Sequence, residues 1–221
     1  MNPRVSNQKT AALTLVEVLV AIFVLAVLAA LLLPAYHAAD AHAKRIHCET
    51  NLKLIGLAFI VWAGDNGDKF PMQVSITNGG TMELAFRGNA WMNFLVMSNE
   101  LETPKILYCP ADQGRTAATN FQIGFNNENV SYFVSLEAKT NTPHALLSGD
   151  ANFAISGVPV KPGLLELWTN TPVTWTSARH YIKGNIGLAD GSIVGGDDPN
   201  APDLTNLLYQ TGVATNRLAI P

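Results

Sequence analysis

Charge is scarce in this chain. Asp, Glu, Lys and Arg make up 14% of its 221 residues, and 14 basic against 17 acidic side chains leave a formal net charge of -3. There is no basic footprint for a nucleic-acid partner, and a mildly acidic balance does no more than help keep an exposed domain soluble. Cysteine is nearly absent too. Cys48 and Cys109 form no C-x-x-C, which excludes a thioredoxin motif and a zinc ribbon. Outside the cytoplasm the even count permits one disulfide, and two buried thiols are the alternative. Catalytic signatures are missing: no G-x-S-x-G, Walker loop, H-E-x-x-H or dinucleotide fingerprint occurs. A Ser148, His180, Asp150 set can be drawn, but no spacing singles it out. These absences point away from an enzyme.

What the chain does have is apolar surface, 48% of residues, concentrated before residue 62. Residues 1–12 are polar, carry Arg4 and Lys9 and contain no carboxylate, so they are expected to stay in the cytoplasm. Residues 13–33 follow with one acid, Glu17. As a helix they span about 30 Å, the thickness of a bilayer core, which sends the C-terminal bulk out of the cytoplasm. Three readings compete. One is a plain signal anchor. Another is a secretory signal peptide cut near the small residues at 39–43. The third turns on Glu17. A charge at mid-bilayer costs about 2.5–3.5 kcal/mol and usually has a partner, whereas near a helix start it can snorkel to the interface.

After Pro34 the pattern becomes amphipathic. Ala38, Asp40, His42, Lys44, Arg45, His47 and Glu49 form a wet face, while Cys48, Leu52, Ile55, Phe59 and Trp62 recur as one apolar stripe. Residues 64–68 (Gly-Asp-Asn-Gly-Asp) read as the stop, a turn rather than a calcium loop. The domain layout is therefore 1–12, 13–33, 34–62 and a globular head over 63–221. Within the head, 70–90 reads as loop, Asn89 as the cap of a helix over 91–99, and 111–129 as exposed loop. Residues 130–136 alternate as a strand, and 145–147 form a short buried run. Pro159, Pro162 and Pro172 break up the stretch between that run and the next hairpin. Residues 186–194 form this hairpin about Asp190-Gly191, expected as a type I′ turn. Asp203 caps a last short helix ending by Gly212.

Ala12-Leu13-Thr14-Leu15-Val16-Glu17 resembles the prepilin cleavage motif of type IV pilins and type II secretion pseudopilins. The resemblance implies a cut between Ala12 and Leu13, with Ala for the usual Gly and Leu for the usual Phe. It makes Glu17 the fifth mature residue, able to pair with the new Leu13 ammonium of a neighbouring subunit during filament assembly. Pro34 matches the helix-kinking proline of many pilins. His180 followed by Asp190-Gly191 looks like the H-x9-DG feature of prepilin-like families from planctomycetes and verrucomicrobia, in which Asn51-Leu52-Lys53 after a cysteine and Cys109-Pro110-Ala111-Asp112 also recur. His180 and Asp190 are ligands or hairpin supports, the latter favoured. Major pseudopilins bind calcium in a C-terminal loop, and Asp190, Asp197 and Asp198 lie in a comparable region. No ligand set is carried over, and an Asp-rich turn needs no metal.

The expected fold is α+β and pilin-like: a long N-terminal helix, half membrane-spanning and half amphipathic, packed on a small antiparallel sheet with loops. The expected function is structural, a pseudopilin or minor pilin with no cofactor. Its partners would be other subunits, prepilin peptidase and the inner-membrane assembly platform. The alternative is a signal-anchored carbohydrate- or ligand-binding domain using exposed Trp168 or Trp175.

Overall fold

The computed structural model describes residues 14–85, 87–180, 182–195 and 204–221. Its longest element is helix α1 (Leu15–Asp65, 51 residues). Leu, Ala and Glu are strong helix formers, and the helix continues through Pro34, where a missing N–H removes one ladder bond. The residues divide into two compact units, 1–40 and 41–221. The second half of α1, from Ala41, therefore falls in the same unit as the head.

In the first unit the span Leu15–Leu33 has a mean hydropathy of 3.0 over 19 residues, none of them buried. Its length is about 28 Å, enough to cross a bilayer core. Helix α1 ends in the second unit, where Gly64-Asp65-Asn66-Gly67-Asp68 turns the chain. Gly67 and Asp68 take positive φ, and the Asn66 and Asp68 amides donate to the Ala63 carbonyl at 3.0 and 2.9 Å.

The head is built on a six-stranded antiparallel sheet. Its strands are β1 (Tyr132–Ser135), β2 (Leu146–Asp150), β5 (Gly163–Trp168), β7 (Asn185–Leu188), β8 (Ile193–Gly195) and β9 (Thr215–Ile220), in the order β5-β9-β1-β2-β7-β8. A second sheet, β4-β3-β6, combines β3 (Phe153–Ile155), β4 (Val158–Pro159) and β6 (Val173–Trp175). The large sheet is covered on both faces. Tyr132, Val134, Leu147 and Ala219 join the α1 stripe of Cys48, Leu52, Ile55, Phe59 and Trp62. Phe133, Leu146, Leu218 and Ile220 face the other way, onto Phe153, Val173 and the helix α5 (Leu204–Gln210). Double coverage is why β1 is buried at all four positions instead of alternating between core and water.

Several expectations need correction. Arg45 is buried, not part of the wet face. Residues 70–90 are not plain loop: two 3-10 turns (Pro71–Gln73 and Ile76–Asn78) and helix α2 (Met82–Ala85) lie there. Asn89 stands at the N-cap of helix α3 (Ala90–Val96) without a side-chain capping bond. A break at Met97 separates α3 from helix α4 (Ser98–Leu101). Residues 111–129 form a largely exposed loop, as expected, but it is anchored by the buried Asp112, Ala118 and Phe125. Three strands, β4, β5 and β6, form among the prolines. Pro162 and Pro172 fall just outside β5 and β6, and Pro159 lies in an edge strand, where a missing N–H costs no ladder bond. Asp203 lies outside the described residues.

The Asp190-Gly191 hairpin exists, with a different turn. Only Gly191 has positive φ (+83°), Ala189 and Asp190 do not, and the Gly191 amide donates to the Leu188 carbonyl at 3.0 Å. A three-residue loop with glycine in the left-handed position replaces the two-residue type I′ turn. The turn packs on α1: a Cβ at Gly56 would meet Gly191 Cα at 3.4 Å, and one at Gly191 would meet Ile60 at 3.1 Å.

Candidate functional site

Two regions hold the residues singled out by the sequence, one in each unit. In the first, Thr14 and Glu17 form a reciprocal cap at the start of α1. The Thr14 amide and hydroxyl both donate to Glu17 Oε2 at 2.8 Å, and the Glu17 amide donates to Thr14 Oγ1 at 3.3 Å. This is a T-x-x-E capping box, which satisfies helix-start donors that have no carbonyl partner. Glu17 stood out in the sequence but this cap did not; its signal was Thr14 before a long apolar run with Glu three positions on. Ala12 and Leu13, the expected cleavage pair, lie outside the described residues.

In the second unit three separated motifs converge. Cys48, on α1, is disulfide-bonded to Cys109, with their Cα atoms 5.4 Å apart. Asn51, one turn along the helix, donates to the Tyr108 carbonyl at 3.1 Å and lies 3.4 Å from the Tyr132 hydroxyl. Burial, then the Asp150 carboxylate, pushes the Tyr132 phenol above its ordinary range, so it stays protonated. Beyond Cys109 the chain turns, the Asp112 amide donating to the Cys109 carbonyl at 2.8 Å. Asp112 then pairs with Arg179. The Arg179 guanidinium also donates to the Ser131 carbonyl at 2.7 Å and lies 3.8 Å from Asp150. Asp150 Oδ2 accepts from the Asn185 amide and side chain at 2.9 and 3.0 Å. His180 completes the cluster: its Nε2 is 3.3 Å from Cys109 Sγ and 3.6 Å from Asp150 Oδ2. A backbone at φ +50° puts it there, and Asn152 holds the segment by donating to the Arg179 and Lys183 carbonyls at 3.4 and 3.0 Å.

The cluster is a clamp. Cys48 and Asn51 from the helix, residues 108–112, and Arg179-His180 meet on one end of β1 and β2. All of its charged members are buried, and Arg179 offsets two carboxylates that would otherwise be unpaired in a low-dielectric site.

Residues 7–33 match the prokaryotic N-terminal methylation motif. No curated protein and no solved structure matches the chain. The match takes in the end of the polar N-terminal segment from residue 7, the capping box and the apolar span, and supports a pilin-like or pseudopilin precursor processed by prepilin peptidase. It points to a structural subunit that assembles with others of its kind. With the apolar helix, it fits a membrane-anchored protein carrying an extracytoplasmic domain.

Beyond the methylation motif, the remaining candidates separate. His180 does not support the hairpin, because its ring is held against the Cys109 sulfur and Asp150. Asp190 does support it: its Oδ1 accepts from the Ser192 amide and hydroxyl at 2.9 and 2.6 Å. Burial works against the Asp190 carboxylate, yet the Ser192 bonds and nearby His144 together hold its pKa below the ordinary value. Asp197 and Asp198 lie outside the described residues. Ser148 is not joined to His180, its hydroxyl donating instead to the Phe133 carbonyl at 2.7 Å. Trp168 is exposed, but Trp175 is not, its ring packing edge-on to Phe153. Arg179, Asp112 and Asn185 were missed as cluster members. The Cys-Pro-Ala-Asp tetrad held the signal for Asp112, and nothing local flags the other two.

Proposed function

We propose that this chain is the precursor of a structural subunit, a pseudopilin or minor pilin, of a type II secretion or type IV pilus-like filament. The observation that carries the reading is the methylation motif lying on a capped, membrane-length apolar helix. Prepilin peptidase would cut between Ala12 and Leu13 at the cytoplasmic face of the inner membrane, and Leu13 would then be methylated. The new amine would pair with Glu17 of an adjacent subunit, offsetting two charges that are costly in lipid. Pro34 would bend the helix within the filament, and the head would be exported.

Expression in a host with prepilin peptidase, followed by N-terminal sequencing, tests this. A methylated start at Leu13 is expected. An intact Met1, or a start between 41 and 44, overturns it. Glu17→Ala is expected to abolish filament assembly while the head melts as in wild type. A Glu17→Ala protein that assembles at the wild-type rate would remove the electrostatic role.

A further inference from the structure

Three groups able to hold a soft metal ion meet inside the clamp. The sulfurs of Cys48 and Cys109 and a ring nitrogen of His180 all lie within 4.8 Å of one another, and all three residues are buried. The disulfide alone does not account for the histidine. A disulfide sulfur is a weak acceptor, and His180 Nδ1 is buried with no hydrogen-bond partner among the described residues. The imidazole nevertheless occupies a left-handed backbone position that aims Nε2 at Cys109 Sγ, 3.3 Å away, with Asp150 Oδ2 at 3.6 Å. Those separations resemble the roughly 3.3–3.8 Å between ligands of a tetrahedral zinc ion with bonds of about 2.0–2.3 Å.

We propose that the reduced chain binds one zinc-class divalent cation through Cys48 Sγ, Cys109 Sγ and His180 Nε2, with Asp150 as the fourth ligand. Asp150 is already oriented by two bonds from Asn185, the kind of outer support that metal-bound carboxylates have. Two thiolates and an imidazole favour zinc over calcium or magnesium. The two sulfurs must part to roughly 3.7 Å, and the Asp150 carboxylate, now 3.6 Å from His180 Nε2, must close on both of them. A dithiol or phosphine reductant supplies the two electrons. The S–S bond breaks, two thiols form, and the reductant leaves as its own disulfide or, with water, as the phosphine oxide. Metal binding then releases both thiol protons to solvent. Bridge and metal exclude each other, so the clamp has an oxidised and a metal-held form.

The test uses the full chain in detergent, reduced with a phosphine and titrated with Co2+ and then Zn2+. One equivalent of Co2+ is expected to produce thiolate charge-transfer bands and intense tetrahedral d–d bands, which Zn2+ bleaches. X-ray absorption of the zinc-loaded wild type is expected to show two sulfurs at about 2.3 Å with lighter ligands at about 2.0–2.1 Å. His180→Gln is expected to weaken Zn2+ binding about tenfold or more. A reduced chain that gives no Co2+ bands overturns the proposal, as does a metal shell without sulfur or equal binding by the oxidised chain. Unchanged affinity in a folded His180→Gln protein also overturns it. Should that variant fail to fold, the absorption spectrum of the wild type decides alone.

Discussion

Arg179 is the only cation contacting both Asp112 and Asp150 among the described residues. Removing one partner from a buried ionic set leaves uncompensated charge, at a cost of about 3–5 kcal/mol. Arg179→Met is therefore expected to destabilise the head by that amount in urea unfolding. Asp190 differs, being exposed at a hairpin tip. Its folded pKa is depressed, so its contribution is complete above the unfolded value of about 3.9 and is lost as pH falls through the lower folded value. The Tm gap between wild type and Asp190→Ala is expected to close on acidification from about pH 5 to pH 2. His180 and Asp190 belong to one sequence feature yet do unrelated jobs, and spacing alone could not separate them. The distinction rests on a long-range partner, Cys109, that only the fold supplies.

Among the elements, the head half of α1 was the most legible. Its five stripe residues are all buried, because a 3.6-residue period survives any tertiary arrangement that covers one face. Phe59→Ala is expected to cost about 3–5 kcal/mol. Leu57→Ala, at a position 56% exposed, should stay within about 0.5 kcal/mol. The β7–β8 hairpin was legible from Asp190-Gly191, though not its turn class, which depends on whether one or two residues take positive φ. Strands β5 and β9 were not legible. They pair along their full lengths, Gly163 with Ile220 through Trp168 with Thr215. Yet β5 lies among prolines, and β9 contains Asn216 and Arg217, so neither shows clean alternation. Their evidence for each other is a pairing across about fifty residues, which local pattern cannot carry.

For the molecule as a whole, the disulfide joins residues 61 positions apart. Opening a loop of that size costs about 4 kcal/mol by chain-entropy reasoning. Reduction is expected to lower the denaturation midpoint correspondingly in metal-free buffer. If the zinc proposal holds, added Zn2+ restores part of the loss, because a ligand that binds only the native state stabilises it. The methylation motif was legible at the N-terminus because it is one linear stretch. The clamp was not, because it is assembled from three stretches that meet only after folding.

Strand β9 occupies an interior place in the large sheet, between β5 and β1. Residues 215–220 are thus the keystone of the large sheet: without them, β5 and β1 have no common neighbour and the sheet falls into two pieces. Deleting 215–221 should leave a product that never acquires the cooperative melting of the complete chain.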